Sequence, residues 1–225
     1  MTTTSQRGRP VTFRASSTLD PADTVEFVAE GAVAGSARDV FFTADRGRAV
    51  SLYLGEPDPG RRKRLEEVCG PWRGRVFGGD GGDYYRGIMN WPEMSVELGG
   101  REGYVSPAYG GKFRFREGSE LGGVLKEGYW FASARNMRSV PAEERGRLLG
   151  TLNVCLLLSR AVGRLHGEGL LLPGLSSQSC LASPSSGDFC LAGLDALWME
   201  GSGHDCPGIL PNPDYLPPEA VPISP

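Results

Sequence analysis

The sequence predicts an α+β fold, in which short antiparallel strands occupy the first half and one long helix dominates the second half. Two observations lead to this prediction. Between residues 24 and 54, apolar and polar residues alternate in three runs separated by tight turns, which is the pattern of a meander of half-buried strands. After residue 141, apolar residues instead recur every three or four positions, as they do along one face of a helix.

The strands of the first half follow from their alternation. Val25 and Phe27 begin the first strand, and a turn of small residues from 31 to 37 leads to the second strand, at residues 39–44. The third strand is expected at 48–54, and two more at 94–98 and 103–106. The other segments of this half are a helix at 61–69, an irregular glycine- and aspartate-rich stretch at 71–87, and a polar flexible tail at 1–20.

The long helix opens at Pro141, because proline and acidic residues favour the first turn of a helix. Its apolar face is expected to pack into the core. Short apolar segments at 170–172, 179–182 and 189–192 then predict small hairpin strands, and a proline-rich irregular end follows from residue 207. The face comprises Leu148, Leu152, Cys155, Val162 and His166, widened by Leu149, Leu156 and Leu165.

The composition argues against several classes of function. The chain has 225 residues and a formal net charge of −3, whereas a nucleic-acid-binding domain needs a clear basic excess. The first residues lack the apolar run of a secretory signal, and the longest apolar stretch, from Val154 to Leu158, is too short to span a bilayer. We therefore expect a cytoplasmic protein whose partner is neither a nucleic acid nor a membrane.

The cysteines and histidines indicate no metal site. The five cysteines include no C-x-x-C pair, and there are only two histidines. His204 and Cys206 lie close together in the sequence, but two ligands do not complete a tetrahedral zinc site. Reduced structural thiols are therefore expected.

Three blocks of the second half, at residues 165–181, 189–197 and 213–219, resemble segments of protein kinases, in the kinase order. The first block matches the kinase catalytic-loop segment L-H-x-x-G followed by H-R-D-L-x-x-x-N-x-L. Residues 189–197 fall where kinases carry the D-F-G strand, and residues 213–219 are similar to the segment that ends in A-P-E. The resemblance spans roughly residues 24–219. It implies a protein-kinase-like fold with a tail at 1–20, an N-lobe at 21–107 and a partial C-lobe at 108–225. The matching positions of the first block are Leu165, His166, Gly169, Leu175 and Leu181.

The first half supports the same resemblance. The segment from Gly31 to Phe41 is similar to a glycine-rich loop and its second strand. The phrases at residues 41–46, 90–93 and 103–107 look most like a group of bacterial kinase-like proteins associated with von Willebrand A proteins and PP2C-type phosphatases. This resemblance implies a signalling role and a protein partner, namely a kinase, a PP2C-type phosphatase or a von Willebrand A protein.

The positions that carry kinase chemistry differ from the kinase pattern. Phosphoryl transfer needs a lysine on the phosphates, magnesium ligands and an aspartate near the acceptor hydroxyl. In this sequence the lysine position is Ser51, the catalytic aspartate position is Gly174, the asparagine position is Ser179 and the metal-binding aspartate position is Gly193. The resemblance therefore implies a pseudokinase with no catalytic residues and no required cofactor, which acts as a scaffold or regulatory binding protein.

An atypical ATP-dependent protein kinase or other phosphotransferase is the alternative. It requires ATP and Mg²⁺, with Asp195 replacing the metal-binding aspartate and Arg48 or Lys63 replacing the lysine. In the glycine-rich register only Gly35 fits, and Arg38 would contact a phosphate directly. Gly35, Arg38 and Asp195 are therefore the candidate nucleotide-binding residues.

Overall fold

The structure of the protein is a computed structural model that describes residues 12–34, 37–203 and 215. It divides into two compact units at boundaries after Arg62, Trp91 and Ala108. Of the described residues, the first unit contains 12–34, 37–62 and 92–108, and the second contains 63–91, 109–203 and 215. Residues 63–91, which the sequence analysis assigns to the N-lobe, thus belong to the second unit.

The first unit is a six-stranded antiparallel barrel. Its strands are β1 (Thr12–Ser17), β2 (Thr24–Val33), β3 (Arg38–Phe42), β4 (Arg48–Tyr53), β5 (Met94–Leu98) and β6 (Arg101–Pro107). Their order around the barrel is β1-β2-β3-β4-β6-β5. The five strands expected from alternation are all present, and β1 closes the barrel because it pairs with both β2 and β5.

Strand β1 corrects the prediction of a flexible tail at residues 1–20 for residues 12–17, whereas residues 1–11 lie outside the described residues. Phe13, Ala15 and Ser17 alternate toward the barrel interior, and Ala15 and Ser17 are buried. Two of these three inward residues are small, so the segment has the composition of a polar tail. Pairing with β2 and β5 supplies the stabilisation that the side chains alone do not indicate.

The barrel core contains a cluster of three phenylalanine rings. Phe27 lies 5.6 Å from Phe13 and 5.2 Å from Phe41, centroid to centroid. Offset and tilted aromatic pairs of this kind each contribute about 0.5–1.5 kcal/mol beyond the area they bury. Val50 and Leu52 of β4 complete the core on the neighbouring strand.

The second unit begins with a chain of short helices. These are α1 (Pro59–Glu67, which contains the boundary at Arg62), a π-helical turn (Val68–Trp72), α2 (Arg73–Phe77) and α3 (Gly82–Ile88). The helix predicted at 61–69 is present, but the irregular stretch predicted at 71–87 is largely helical. Trp72, Val76 and Phe77 belong to the core of the second unit, so tertiary packing overrides the low helix propensity of the glycines.

This helical chain is joined to the hairpin of β7 (Cys180–Ser183) and β8 (Asp188–Leu191). The Asn90 N–H donates to the Leu191 carbonyl at 2.8 Å, and the Trp91 indole N–H donates to the Val68 carbonyl at 2.8 Å. The bond from Asn90 links residues 63–91 to the hairpin, in agreement with their place in the second unit, whereas the bond from Trp91 is internal to residues 63–91. The hairpin itself was predicted from the apolar segments at 179–182 and 189–192.

The long helix, α5 (Leu148–Gly167), begins seven residues after Pro141. Residues 142–144 form only a 3₁₀ turn, and Gly146 has a φ of +76° that interrupts the helix. A second short helix of this region, α4, spans Ala134–Met137.

The predicted apolar face of α5 is wrong, with the exception of Leu165, which is buried. The helix instead packs through a face on its opposite side. Leu148 and Leu149 are 72% and 81% exposed, and Cys155 and His166 are also exposed. Both sides of the helix are apolar, so periodicity did not identify the packed one. The packed residues are Val154, Leu157, Leu158, Ala161 and Leu165.

Among the described residues, α5 is the one helix that is long and apolar enough to cross a membrane, judged by its 20 residues and its composition alone. The uninterrupted apolar stretch from Val154 to Leu158 is therefore only part of a longer helix that is apolar on average. A mostly buried core helix of a soluble protein satisfies the same criterion, whereas 11% of the apolar window of α5 is buried.

Candidate functional site

Three of the four substituted kinase positions lie together in the second unit. The Ser179 hydroxyl oxygen accepts a hydrogen bond from the Ser176 N–H at 2.8 Å. Its proton is shared between the carbonyls of Ser176 (3.0 Å) and Gly174 (3.3 Å). Gly193 completes the cluster, because a Cβ atom built on it would lie 3.7 Å from the Ser179 Cβ. We call Gly174, Ser179 and Gly193 the serine-glycine cluster.

The serine-glycine cluster offers little chemistry. Its one functional side chain, the Ser179 hydroxyl, already holds the turn at residues 174–179 closed. Gly193 has a φ of +74°, a conformation that side chains other than glycine adopt at a cost. Within the described part of the chain, no group of three or more histidine, cysteine, aspartate or glutamate residues is placed to hold a metal ion.

Asp195 lies close to this cluster in a buried 3₁₀ turn, Leu194–Ala196. The guanidinium of Arg64, which is also buried, approaches the Asp195 main-chain carbonyl, with 3.5 Å between Nε and the oxygen. Sequence reasoning missed Arg64, because a basic run in a helix usually marks a solvated face. The structure thus places a buried cation beside the aspartate that the alternative function requires.

The fourth substituted position, Ser51, belongs to the first unit. It lies in β4 between Val40 of β3 and Tyr104 of β6, and it is buried. The guanidinium of Arg38 lies over the Tyr104 ring, 5.5 Å from its centroid. Arg38, which was predicted to contact a phosphate, therefore lies beside Tyr104, the residue that pairs with Ser51 in the sheet.

The remaining predicted site residues are dispersed. Arg48 lies 4.0 Å from the Glu93 carboxylate in the first unit, and the Lys63 ammonium lies beside Gly203 in the second. Gly35 and the block at 213–219, apart from Tyr215, lie outside the described residues.

The described cysteines are free thiols at positions 69, 155, 180 and 190. Burial raises the pKa of the Cys180 thiol to about 11 and that of the Cys190 thiol to about 12. Thiolates are the reactive form of cysteine, so these two thiols are chemically quiet. His204 and Cys206 lie outside the described residues.

A buried ion pair of the second unit was also missed by sequence reasoning. Lys126 and Glu144 are both nearly inaccessible to solvent, and the Lys126 ammonium contacts the Glu144 carboxylate directly. Burial by itself would raise the pKa of Glu144, but hydrogen bonds from Lys126 and from the Arg116 N–H hold it below its ordinary value. The two residues are far apart in sequence, and no local pattern connects them.

The comparisons with known proteins identify the fold. No protein-family model and no curated protein matches the sequence. Solved structures do match. ROP2 of Toxoplasma gondii, a virulence factor with a protein-kinase fold and no enzymatic activity, aligns with a TM-score of 0.55 and 17% identity over 93% of this chain and 60% of its own.

Two further solved structures, both of kinases, also match the chain. The kinase domain of a rhoptry antigen specific to Toxoplasma gondii has a TM-score of 0.51 and 16% identity, over 87% of this chain and 56% of its own. Vaccinia related kinase 3 has a TM-score of 0.53 and 12% identity, over 86% of this chain and 53% of its own. The chain therefore has a protein-kinase-like α+β fold and spans between about half and three fifths of the length of these kinase-fold chains.

Proposed function

We propose that this protein is a pseudokinase, which binds a partner and does not transfer phosphate. The observation that carries the proposal is the serine-glycine cluster. At the three positions where the kinase resemblance expects a catalytic aspartate and two magnesium ligands, the chain presents two glycines and one hydroxyl engaged in a turn. Each preorganised polar group of an active site contributes about 10²–10³ in rate, so their joint absence accounts for a loss of turnover.

Ser51 supports the proposal from the first unit. A serine hydroxyl carries no charge, so it does not supply the phosphate contact that kinases obtain from lysine at this position. ROP2 illustrates that a protein can have a protein-kinase fold and no enzymatic activity.

The partner we propose is a protein of a signalling system: a kinase, a PP2C-type phosphatase or a von Willebrand A protein, in the cytoplasm of a bacterium. The support is the sequence resemblance at residues 41–46, 90–93 and 103–107 to the bacterial kinase-like group associated with those proteins. The protein would then act as a scaffold or regulator.

The test measures binding of ATP and transfer of its γ-phosphate in parallel. The melting temperature is recorded with ATP and Mg²⁺, with ATP and EDTA, and without nucleotide. A ligand at a hundred times its Kd stabilises a protein by about 2.7 kcal/mol, which shifts the melting temperature by several degrees. We expect no Mg²⁺-dependent shift and no transfer of labelled phosphate to the protein or to a generic acceptor protein.

Asp195 provides the decisive variant, because the alternative phosphotransferase would use it as a metal ligand beside the buried Arg64. Phosphate transfer that is abolished in Asp195→Asn, but persists in Asp23→Asn, would refute the pseudokinase proposal and establish the phosphotransferase. Asp23 is a suitable control because it is exposed and lies in the first unit.

A further inference from the structure

An open pocket of the second unit is lined in part by Gln178, which lies in the same turn as Ser179 of the serine-glycine cluster. Its volume is about 350 Å³, which is within the range of pockets that hold organic ligands. Its lining combines two aliphatic side chains, two aromatic rings inclined to each other, which we call the aromatic corner, one carboxylate and one amide. Its lining residues are Val124, Leu125, Glu127, Tyr129, Trp130 and Gln178.

The backbone holds the pocket in shape. Glu127 pairs with Leu181 of β7 through an isolated bridge, and the next residue, Gly128, lies against the turn that carries Gln178. A Cβ atom on Gly128 would lie 3.0 Å from the Ser177 carbonyl and 3.4 Å from the Cys180 Cβ. The Tyr129 carbonyl accepts a hydrogen bond from the Asn136 side chain at 2.9 Å. The pocket is therefore built on anchored residues.

The carboxylate of Glu127 has no counter-ion among the described residues. Burial raises its pKa above the ordinary glutamate value, and no charged neighbour offsets that effect. Two lysines of the second unit are engaged elsewhere, because Lys126 pairs with Glu144, and Lys112 pairs with Asp188 at 2.8 Å. A partly desolvated carboxylate without a partner is costly, and a cation in the pocket would remove that cost.

The aromatic corner fits the same kind of ligand. The rings of Tyr129 and Trp130 are 5.5 Å apart and inclined at 74°, so they form two walls. Tyr129 is 46% exposed, which leaves ring surface open to a ligand. Aromatic faces attract cations, and arginine does so more often than lysine in proteins.

We propose that this pocket binds the guanidinium group of an arginine side chain. A guanidinium is planar, it stacks on aromatic rings, and its donors match a carboxylate in a two-pronged hydrogen bond. Glu127 accepts two of those donors, the Gln178 amide oxygen accepts another, and the Tyr129–Trp130 corner receives the flat face. This inference names the chemistry that the pseudokinase would recognise on its partner, and in that respect it rests on the proposed function.

The experiment is an NMR titration of the full ¹⁵N-labelled chain with acetyl-arginine-amide, followed at the Trp130 indole N–H and the Gln178 side-chain amide. Acetyl-citrulline-amide is the matched probe, because it has nearly the same shape but no charge. We expect saturable shifts with the arginine probe at millimolar concentration and no saturation with the citrulline probe.

The variant Glu127→Gln removes the charge with little change of shape, and we expect it to weaken binding of the arginine probe about tenfold or more, since hydrogen bonds to charged groups are strong. Glu30→Gln is the matched control, because Glu30 is exposed in the first unit and its loss changes the net charge equally. Equal binding of the two probes, shifts that map to another surface, or unchanged affinity in Glu127→Gln would overturn the proposal.

The unmodified protein provides a second test that does not depend on the variant's folding. Arginine stays charged at all relevant pH values, so binding should weaken as the pH falls from 7 to 4 and Glu127 becomes protonated. Glu127 is the one carboxylate among the lining residues. Binding that is unchanged at pH 4 would contradict the assignment. The charged or titratable groups on the adjoining elements are Lys112, Arg114, Lys126, Glu144, Cys180 and Asp188.

Two sources of the guanidinium are distinguished by a third probe, a glycine-serine peptide that carries one arginine. Binding several-fold tighter than that of acetyl-arginine-amide identifies an arginine on a protein, whereas equal binding identifies a free arginine derivative. The phosphate-transfer assay is independent of these titrations. Transfer would refute the pseudokinase proposal and leave guanidinium binding intact, and absence of binding would refute the pocket assignment alone.

Discussion

At the scale of single residues, Gly103 shows how a close backbone approach restricts a position in the barrel. A Cβ atom at Gly103 would lie 2.1 Å from the Ser51 carbonyl oxygen and 2.9 Å from a methyl carbon of Leu52. Contacts this short force the strands apart. Because β6 is paired on both sides, with β4 and with β5, the barrel has little room to relax.

We expect Gly103→Ala to lower the free energy of unfolding by about 1 to 3 kcal/mol, as overpacking of a core does. The measurement is chemical denaturation followed by circular dichroism. Gly87→Ala is the matched control, because Gly87 lies in helix α3 with open space around it. Alanine should stabilise that helix by about 0.5–1 kcal/mol. Equal stability of the two variants would show that the close approach at Gly103 does not exist in solution.

Whether a residue of the candidate site could be singled out from the sequence depends on whether a local motif marks it. Gly174, Ser179 and Gly193 were recognised because short motifs mark their positions in the sequence, and the structure does bring them together. Arg64 and Glu127 were missed because their significance depends on burial and on neighbours that are distant in the sequence. A basic or acidic residue in a polar segment gives no sign of either.

At the scale of secondary structure, features that depend on the local sequence were likewise predictable, and features that depend on distant contacts were not. The strands of the barrel were predictable, since alternation with period two and tight turns are local properties. The helical nature of residues 71–87 was not, because it depends on Trp72, Val76 and Phe77 packing against distant segments. For α5 the existence of the helix was predictable, whereas its packed face was not, because leucines lie on both sides.

The Lys126–Glu144 pair belongs to this scale, because it joins a segment without regular structure to the 3₁₀ turn at Ala142–Glu144. The segment carrying Lys126 is bonded to the hairpin, where the Ala182 N–H donates to the Lys126 carbonyl at 2.8 Å. The Glu144 carboxylate accepts from the Arg116 N–H at 3.0 Å. The pair thus connects the hairpin side of the second unit to the 3₁₀ turn that precedes α5.

We expect Glu144→Ala to destabilise the protein by about 3 to 5 kcal/mol, because it leaves the Lys126 ammonium buried without a partner. The double variant Lys126→Met/Glu144→Leu should recover most of that loss. The pKa of Glu144 is lowered on folding, so the stability it contributes is present above about pH 4.5 and is lost as the pH falls through its folded pKa. Denaturation at pH 7 and pH 3 measures both effects. A double variant no more stable than Glu144→Ala would contradict this account.

At the scale of the whole molecule, the net charge of −3 is small, and α5 carries a group of exposed apolar side chains. Leu148, Leu149, Leu152 and Leu156 are each between 47% and 81% exposed. They lie on the side of the helix opposite to the face that packs into the core. Exposed apolar patches of this kind promote association, and a small net charge offers little repulsion to oppose it.

We expect Leu149→Gln/Leu152→Gln to leave the free energy of unfolding within about 0.5 kcal/mol of the original, because both side chains are largely exposed. The same variant should bind less of a hydrophobic fluorescent dye and remain monomeric to higher concentration in sedimentation. Leu165→Ala is the contrasting variant, because Leu165 is buried and its truncation should cost about 2 to 5 kcal/mol. If the double glutamine variant were destabilised as strongly as Leu165→Ala, this face of α5 would have to be covered in the folded molecule, and the two-sided description of the helix would be wrong.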